Sequence, residues 1–155
     1  MYLNVATGEV HVWQVGLDLP EERLILLRSL LSDEELARAQ RYRFQRDRRR
    51  FIARRGLLRT VLSSYLDADP AGLGFGSGPW GTPALVDDRG EPLGVDLSFN
   101  RSDSADQALI AVTAGAEIGV DLEYMGGGLV GESPTEDISH QFFSEPEVAA
   151  LGSLP

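Results

Sequence analysis

Two acidic side chains, Asp121 and Glu123, lie two positions apart in an otherwise apolar stretch of this sequence. The stretch begins at Ile118 and predicts a β-strand, in which side chains at positions i and i+2 share one face. Paired carboxylates are the ligands that Mg²⁺ uses when substrate phosphates and water complete its coordination. The pattern therefore predicts half of a magnesium site, although acidic side chains on a solvated strand face are also common.

Arginine is the second residue type that suggests chemistry. The chain has fourteen arginines and no lysine, and ten of the arginines lie between Arg38 and Arg59. Guanidinium groups bind phosphate and carboxylate in a bidentate manner, but a solvated helix face or a GC-rich coding sequence also explains the pattern. Nucleic acid is a disfavoured partner, because the net charge of −10 repels polyanions and the stretch has no helix-turn-helix pattern.

The composition excludes several other classes of site. There is no cysteine, which excludes disulfides, thiolate nucleophiles and zinc ribbons. The two histidines, His11 and His140, are too few and too scattered for a histidine metal site. With 155 residues, of which 43% are hydrophobic, the chain is long enough for one domain. The sequence has neither a signal-peptide pattern nor an apolar run long enough for a membrane span, so we expect a soluble, cytoplasmic protein.

Hydrophobic periodicity predicts the elements that position these residues. Three helices are expected after a first strand at Val10 to Val15, and they cover Glu21 to Leu31, Ser32 to about Phe44 and Asp47 to Leu66. Ser32 and Glu35 match a capping box at the start of the second helix. Short strands are predicted at Ala84 to Val86, Leu97 to Phe99, Ala108 to Thr113 and Ile118 to Leu122. This order predicts an α+β fold in which helices pack on a small, mainly antiparallel sheet.

A glycine-rich segment separates the helices from the later strands. Residues 72–81 contain a formal G-x-G-x-x-G match at Gly76, Gly78 and Gly81. In a nucleotide-binding site that motif joins a strand to a helix, whereas a strand follows here, so we interpret the segment as a turn. A last helix is predicted to begin at Ser144, after a loop rich in glycine, serine and proline.

Five segments occur in the order found in the 4′-phosphopantetheinyl transferase superfamily, and the chain resembles its larger, synthetase-activating type. The first is the helical region from Leu31 to Arg59. The other four, each followed in parentheses by the family motif that it resembles, are Trp80–Pro83 (Gly-Lys-Pro turn), Phe99–Ser104 (Phe-Asn-x-Ser-His-Ser), Gly119–Glu123 (Gly-Val-Asp-x-Glu) and Phe142–Glu147 (Phe-Phe-Ser-x-x-Glu). The resemblance implies one half of a pseudo-dimeric fold. Residues 1–117 would form the first half, and residues 118–155 would open an incomplete second half.

The resemblance also implies a reaction. It is the transfer of the 4′-phosphopantetheine group from coenzyme A to a serine of an acyl or peptidyl carrier protein, with Mg²⁺ as cofactor. Asp121 and Glu123 would hold the metal. Coenzyme A would contact Arg50, Ser102, Asp103, Thr82 and Arg38. The third metal ligand and a catalytic lysine are expected beyond Pro155, so a non-catalytic module that binds coenzyme A or the carrier protein is the alternative.

Two positions depart from the family pattern. Asp103 stands where the family motif has histidine. This change places an anion beside an anionic ligand and predicts weaker coenzyme A binding. The Gly-Lys-Pro lysine is Thr82, and Arg101 could compensate for the lost charge. Because a missing second half would expose apolar surface, we also expect a homodimer or an exchanged-element assembly.

Overall fold

The structure is a computed structural model that describes residues 3–78, 81–124 and 144–151. Strand β1 (Val10–Gly16) precedes helices α1 (Glu21–Arg28), α2 (Asp33–Gln40) and α3 (Gln45–Leu66). Strands β2 (Gly74–Ser77), β3 (Pro83–Val86), β4 (Ser98–Ser104) and β5 (Gln107–Thr113) follow, and helix α4 (Glu145–Leu151) comes last. The predicted α+β class is confirmed. No helix in the described part of the chain is both long and apolar enough to cross a bilayer.

Strands β1, β5 and β4 form an antiparallel sheet in that order, and β2 pairs with β3 in a separate hairpin. The register of the larger sheet pairs Arg101 with Ile110 and Asp103 with Ala108. Cross-strand partners share a face with each other and with every second residue along the strand. Arg101 and Asp103 therefore lie on the same face as the buried side chains of Ile110 and Ala108.

Helix α3 packs on that face of the sheet. Its buried residues Leu58 and Leu62 contact Phe99 and Ile110 in the main core cluster. A second cluster, formed by Leu17, Leu24, Ala53 and Ala108, attaches α1 and α3 to the sheet. Burial of each large apolar side chain contributes about 1.5–3 kcal/mol. This packing holds α3 beside β4, so that arginines on the adjacent side of the helix reach the strand.

The ends of α2 and α3 differ slightly from the predicted bounds. Ser32 caps α2 as predicted, since its hydroxyl accepts from the Glu35 amide and the Glu35 carboxylate accepts from the Ser32 amide. Helix α2 ends at Gln40 rather than near Phe44, because Phe44 has an extended backbone that starts α3 instead. Asp67 ends α3 in a left-handed conformation with φ of 51°.

Our interpretation of residues 72–81 as a turn is wrong in part, because Gly74–Ser77 form strand β2. The glycines permit a close pairing with β3: a Cβ atom at position 76 would lie only 2.8 Å from Cγ1 of Val86. The motif does lead into a strand rather than a helix, as the prediction required, since β3 begins at Pro83. Trp80 lies outside the described residues.

The predicted strand at Ile118 to Leu122 is also wrong, because these residues have no strand assignment. Two of their backbone groups bond to side chains of β4 and not to a strand backbone. The Asn100 amide donates to the Ile118 carbonyl at 3.1 Å, and the Leu122 amide donates to Oγ of Ser102 at 3.1 Å. The segment therefore lies along β4 without extending the sheet.

By its internal contacts the chain divides into two units, Met1–Glu123 and Tyr124–Pro155. In the second unit, α4 begins where predicted, and the Val148 amide donates to the Ser144 carbonyl at 3.0 Å. The Phe-Phe pair before Ser144 lies outside the described residues. The predicted boundary between the two halves of the family fold, at residue 118, stays a prediction.

Candidate functional site

A cleft of about 560 Å³ opens between α2, α3, β2 and β4. Four arginines line it: Arg38, Arg55, Arg59 and Arg101. Phe75 and the backbone of its neighbouring glycines form another part of the wall. A concave site with several guanidinium groups and two aromatic rings, those of Phe51 and Phe75, suits a ligand that carries phosphate and an apolar group.

Two carboxylates, those of Glu34 and Glu35, line the cleft, and Glu35 pairs with two of its arginines. Its Oε1 accepts from Nε of Arg55 at 2.6 Å and also from Nη2 of that residue, and its Oε2 accepts from Nε of Arg59 at 2.9 Å. Glu35 and Arg59 are only 8% and 2% exposed. Burial opposes ionisation, but the Ser32 amide and the two arginines hold the pKa of Glu35 below its usual value of 4.5. One carboxylate thus balances two guanidinium groups and leaves one positive charge.

Phe75 is the aromatic component of this cluster. The guanidinium carbons of Arg55 and Arg59 lie 4.5 Å and 5.1 Å from the centre of its ring. Phe99 of the core meets the same ring edge to face, with 6.0 Å between the centroids. Cation–π contact of this kind contributes about 0.5–2 kcal/mol, so Phe75 helps to hold both arginines at the cleft.

Asp103 connects α3 to β4. Its Oδ2 accepts from Nη1 of Arg54 at 2.6 Å, and its Oδ1 accepts from Nη1 of Arg101 at 2.9 Å. Burial, reinforced by the nearby charge of Arg54, lowers the pKa of Arg101 from its usual value, although a guanidinium stays charged at neutral pH. Arg54 and Asp103 also line a second cavity of about 210 Å³.

Ser102 lies on the opposite face of β4 from Asp103, because neighbouring residues of a strand alternate. Its Oγ donates to Oδ1 of Asp121 at 2.9 Å. Asp121 and Glu123 are both exposed. The structure thus brings Ser102 and Asp121 together on one face of β4. Asp103 lies on the other face of that strand.

The other predicted coenzyme contacts have varied surroundings. Arg50 is bound by Asp18, with Nε to Oδ1 at 2.7 Å and Nη2 to Oδ2 at 2.6 Å, and its Nη1 donates to the Ala105 carbonyl at 2.9 Å. This bidentate pair lowers the pKa of Asp18. Arg38 lines the cleft, and its guanidinium carbon lies 5.7 Å from the centre of the Phe51 ring. Thr82 closes the β2–β3 turn, where its carbonyl accepts from the Gly78 amide at 2.7 Å.

Sequence reasoning missed the part that Arg55, Arg59 and Glu35 have in the cleft. Arg55 and Arg59 are four positions apart, which places them on one face of a helix, and that spacing could have selected them. The sequence pattern identifies Glu35 only as part of a helix cap. Nothing local in the sequence connects it to arginines 20 and 24 residues away.

The exposed carboxylates of Asp121 and Glu123 suit a hard divalent cation. Mg²⁺ is usually bound through one or two carboxylates while substrate phosphates and water fill its other positions, which is compatible with this pair. Within the ranges that the structure describes, no group of three or more histidine or acidic side chains could hold a metal. Asp121 and Glu123 thus offer two exposed carboxylates to a cation, but residues 118–122 do not form the strand that predicted a shared face for them.

Residues 19–115 match the family model described as "4′-phosphopantetheinyl transferase, N-terminal". The chain belongs to the 4′-phosphopantetheinyl transferase family. The matched span runs from just before α1 to just after β5, and it contains the cleft, α3 and the β4–β5 hairpin. The family resemblance drawn from the motifs is confirmed.

Individual relatives agree with this assignment. The 4′-phosphopantetheinyl transferase HetI of Nostoc sp. is 42% identical over 153 residues, which cover 99% of this chain and 62% of the relative. A putative 4′-phosphopantetheinyl transferase of Synechocystis sp., slr0495, is 39% identical over 127 residues, or 81% of this chain and 48% of the relative. The 4′-phosphopantetheinyl transferase of Bacillus subtilis is 29% identical over 145 residues, or 90% of this chain and 58% of the relative. The chain thus spans about half to three-fifths of the length of these relatives.

Proposed function

We propose that this chain binds coenzyme A and acts in the transfer of its 4′-phosphopantetheine group to a serine of an acyl or peptidyl carrier protein. The observation that carries the proposal is the arginine-lined cleft, which lies within the span that matches the transferase family. Coenzyme A offers the phosphates and the flat purine ring that such a cleft suits. Transfer breaks its pyrophosphate linkage, so negative charge develops that nearby cations stabilise.

The cleft residues would have separate tasks. Glu35 already balances part of the charge of Arg55 and Arg59, which together with Phe75 form a fixed wall. Arg38 and Arg101 come from α2 and β4 and would attract the phosphates. Arg50 and Thr82 remain proposed contacts of coenzyme A. A phosphate that reached Arg50 would have to compete with the carboxylate of Asp18.

Asp121 and Glu123 would hold the magnesium ion, which supplies charge stabilisation to the pyrophosphate when it is bound. Ser102 would keep Asp121 oriented through the bond between its hydroxyl and Oδ1. The same hydroxyl accepts from the Leu122 amide. Ser102 would therefore position the metal-binding segment against β4 as well as contact the ligand.

The proposal is tested by incubating the chain with coenzyme A, Mg²⁺ and an apo carrier protein, followed by mass spectrometry. A mass gain equal to one phosphopantetheine group on the carrier supports transfer. Saturable coenzyme A binding without that gain supports the alternative, a non-catalytic module that binds coenzyme A. If calorimetry shows no coenzyme A binding and mass spectrometry shows no transfer, both the proposed function and its alternative are wrong.

Asp121→Asn provides the matched variant for this test. We expect it to weaken magnesium-dependent coenzyme A binding roughly tenfold, because one charged ligand of the cation is lost. Asp88→Asn makes the same charge change at an exposed turn residue and should leave the affinity unchanged. Equal magnesium dependence in the wild type and Asp121→Asn would show that Asp121 is not a metal ligand.

We also propose that the chain self-associates through apolar surface. Val10 and Val12, which share one face of the edge strand β1, are 53% and 57% exposed. A homodimer or an exchanged-element assembly would remove this surface from water. Sedimentation at increasing concentration should show a mass above that of the monomer, and a monomeric mass at the highest concentration would contradict the proposal.

A cytoplasmic location likewise remains a prediction from the composition.

A further inference from the structure

The segment that contains Asp121 is attached to β4 by side chains of that strand. Asn100 and Ser102 share one face of β4, because they are two positions apart. Nδ2 of Asn100 donates to the Ile118 carbonyl at 3.1 Å, and Oγ of Ser102 accepts from the Leu122 amide at 3.1 Å. Ile118 and Leu122 are half-buried, whereas Asp121 is exposed. The segment is therefore fixed at two points, one on each side of Asp121 along the chain.

The side-chain amide of Asn100 makes two bonds that determine its orientation. Its Oδ1 accepts from the Arg101 amide at 2.7 Å, while its Nδ2 donates to the Ile118 carbonyl. Both partners are backbone groups, one a donor and the other an acceptor, so the oxygen and the nitrogen of the side chain cannot exchange places. An aspartate at this position could keep only the first bond, and an alanine could keep neither.

These bonds occupy the place of a strand ladder. Among the described residues, β4 pairs only with β5 in its sheet, which leaves β4 at the edge. Backbone groups at the edge of a sheet need a partner, which a neighbouring strand or water normally provides. Asn100 instead satisfies one backbone group of β4 and one of the neighbouring segment with a single side chain. Residues 118–122 are thereby held beside β4 without joining the sheet.

We propose that Asn100 is a positioning residue, which acts through the Ile118 carbonyl to hold Asp121 beside Ser102. Oγ of Ser102 donates to Oδ1 of Asp121 at 2.9 Å, and this bond persists only while the segment stays against β4. A carboxylate held in one place loses less freedom when it binds a cation. The consequence for the cation rests on the proposed function, in which Asp121 is a magnesium ligand, whereas the positioning itself requires no metal.

Asn100→Ala tests the positioning, with the backbone amide of Leu122 as the reporter amide. The partner of that amide, Ser102, is unchanged in this variant. We expect the reporter amide to exchange with solvent deuterium roughly five to ten times faster than in the wild type, because the attachment at Ile118 is lost. Nuclear magnetic resonance measures this rate for each amide. The amide of Ile110, which is buried in the central strand β5, should keep its rate.

Asn100→Asp isolates the bond to the segment. It keeps the acceptor for the Arg101 amide and loses only the donor to Ile118, so it should raise the exchange rate of the reporter amide as Asn100→Ala does. The same two substitutions at the exposed Asn4 should leave that rate unchanged. An unchanged rate in both Asn100 variants would overturn the inference. A parallel rise in the core would show a general loss of stability and would also overturn it.

Manganese binding separates this inference from the proposed function. Mn²⁺ prefers the same oxygen ligands as Mg²⁺ and is detected by electron paramagnetic resonance. With coenzyme A present, Asn100→Ala should bind Mn²⁺ roughly fivefold more weakly than the wild type. If both bind it equally well, Asn100 does not serve the metal site and the inference is wrong. If the wild type binds neither Mn²⁺ nor coenzyme A while the reporter amide responds to Asn100, the proposed function fails and the positioning of Asp121 stands.

Discussion

Replacing Glu35 with glutamine should lower the free energy of unfolding by about 3–5 kcal/mol, which is the usual cost of removing one partner from a buried ion pair. Glutamine has nearly the same shape and keeps an oxygen for the Ser32 amide, so the helix cap can persist. The loss of charge leaves Arg55 and the almost fully buried Arg59 without a counter-ion. Urea denaturation followed by circular dichroism measures the change.

Glu34→Gln is the matched control for this prediction. Glu34 is the preceding residue of α2 and is exposed, so the same substitution there should change the unfolding free energy by less than about 0.5 kcal/mol. If the two variants were equally stable, the ion pairs of Glu35 would make no net contribution to folding.

The stability difference should also depend on pH. Because the folded protein holds the pKa of Glu35 below its usual value of 4.5, ionised Glu35 stabilises the fold above that value. This stabilisation is lost as the pH falls through the lowered pKa of the folded state. The wild type should therefore lose its advantage over Glu35→Gln in acid, and a constant difference between neutral pH and about pH 3 would contradict the assignment.

Glu35 also shows where prediction from the sequence succeeds and where it stops. Its capping interaction with Ser32 spans three residues and follows a known local pattern, so the start of α2 could be predicted. Its pairing with Arg55 and Arg59 depends on how α2 packs against α3, which no local pattern specifies. The helices and the strands β1, β3 and β5 could be predicted for the same reason as the cap, since their periodicity lies within short windows.

The motifs located the candidate site but did not reveal its ion pairs. The linear motif identifies Asp103 and Ser102 as candidates, and the structure adds that they lie on opposite faces of β4 with different partners. The motif identifies Arg50 in the same way, yet Arg50 forms a bidentate pair with Asp18 from the loop after β1. Partners that come from distant parts of the chain determine how much charge an arginine can offer to a ligand, and a linear motif does not contain them.

Gly56 in α3 should not tolerate alanine, although alanine normally favours a helix by about 1 kcal/mol over glycine. A Cβ atom at this position would lie 2.6 Å from Cβ and 3.0 Å from the carbonyl oxygen of Leu27 in α1. Because a carbonyl oxygen and a Cβ cannot move aside by changing a rotamer, the whole of α1 would have to shift. Overpacking of this kind costs about 1–3 kcal/mol, and we expect its upper end here, for a net loss of about 2 kcal/mol.

Chemical denaturation of Gly56→Ala beside Gly72→Ala tests this expectation. At Gly72 a Cβ atom would meet only Cβ of Asp69, at 3.9 Å, which is an ordinary contact. Gly72→Ala should therefore change stability by less than about 0.5 kcal/mol. A Gly56→Ala protein as stable as the wild type would mean that α1 can move away from α3 at little cost. In that case the attachment of α1 through Leu24 and Ala53 would be weaker than the buried cluster indicates.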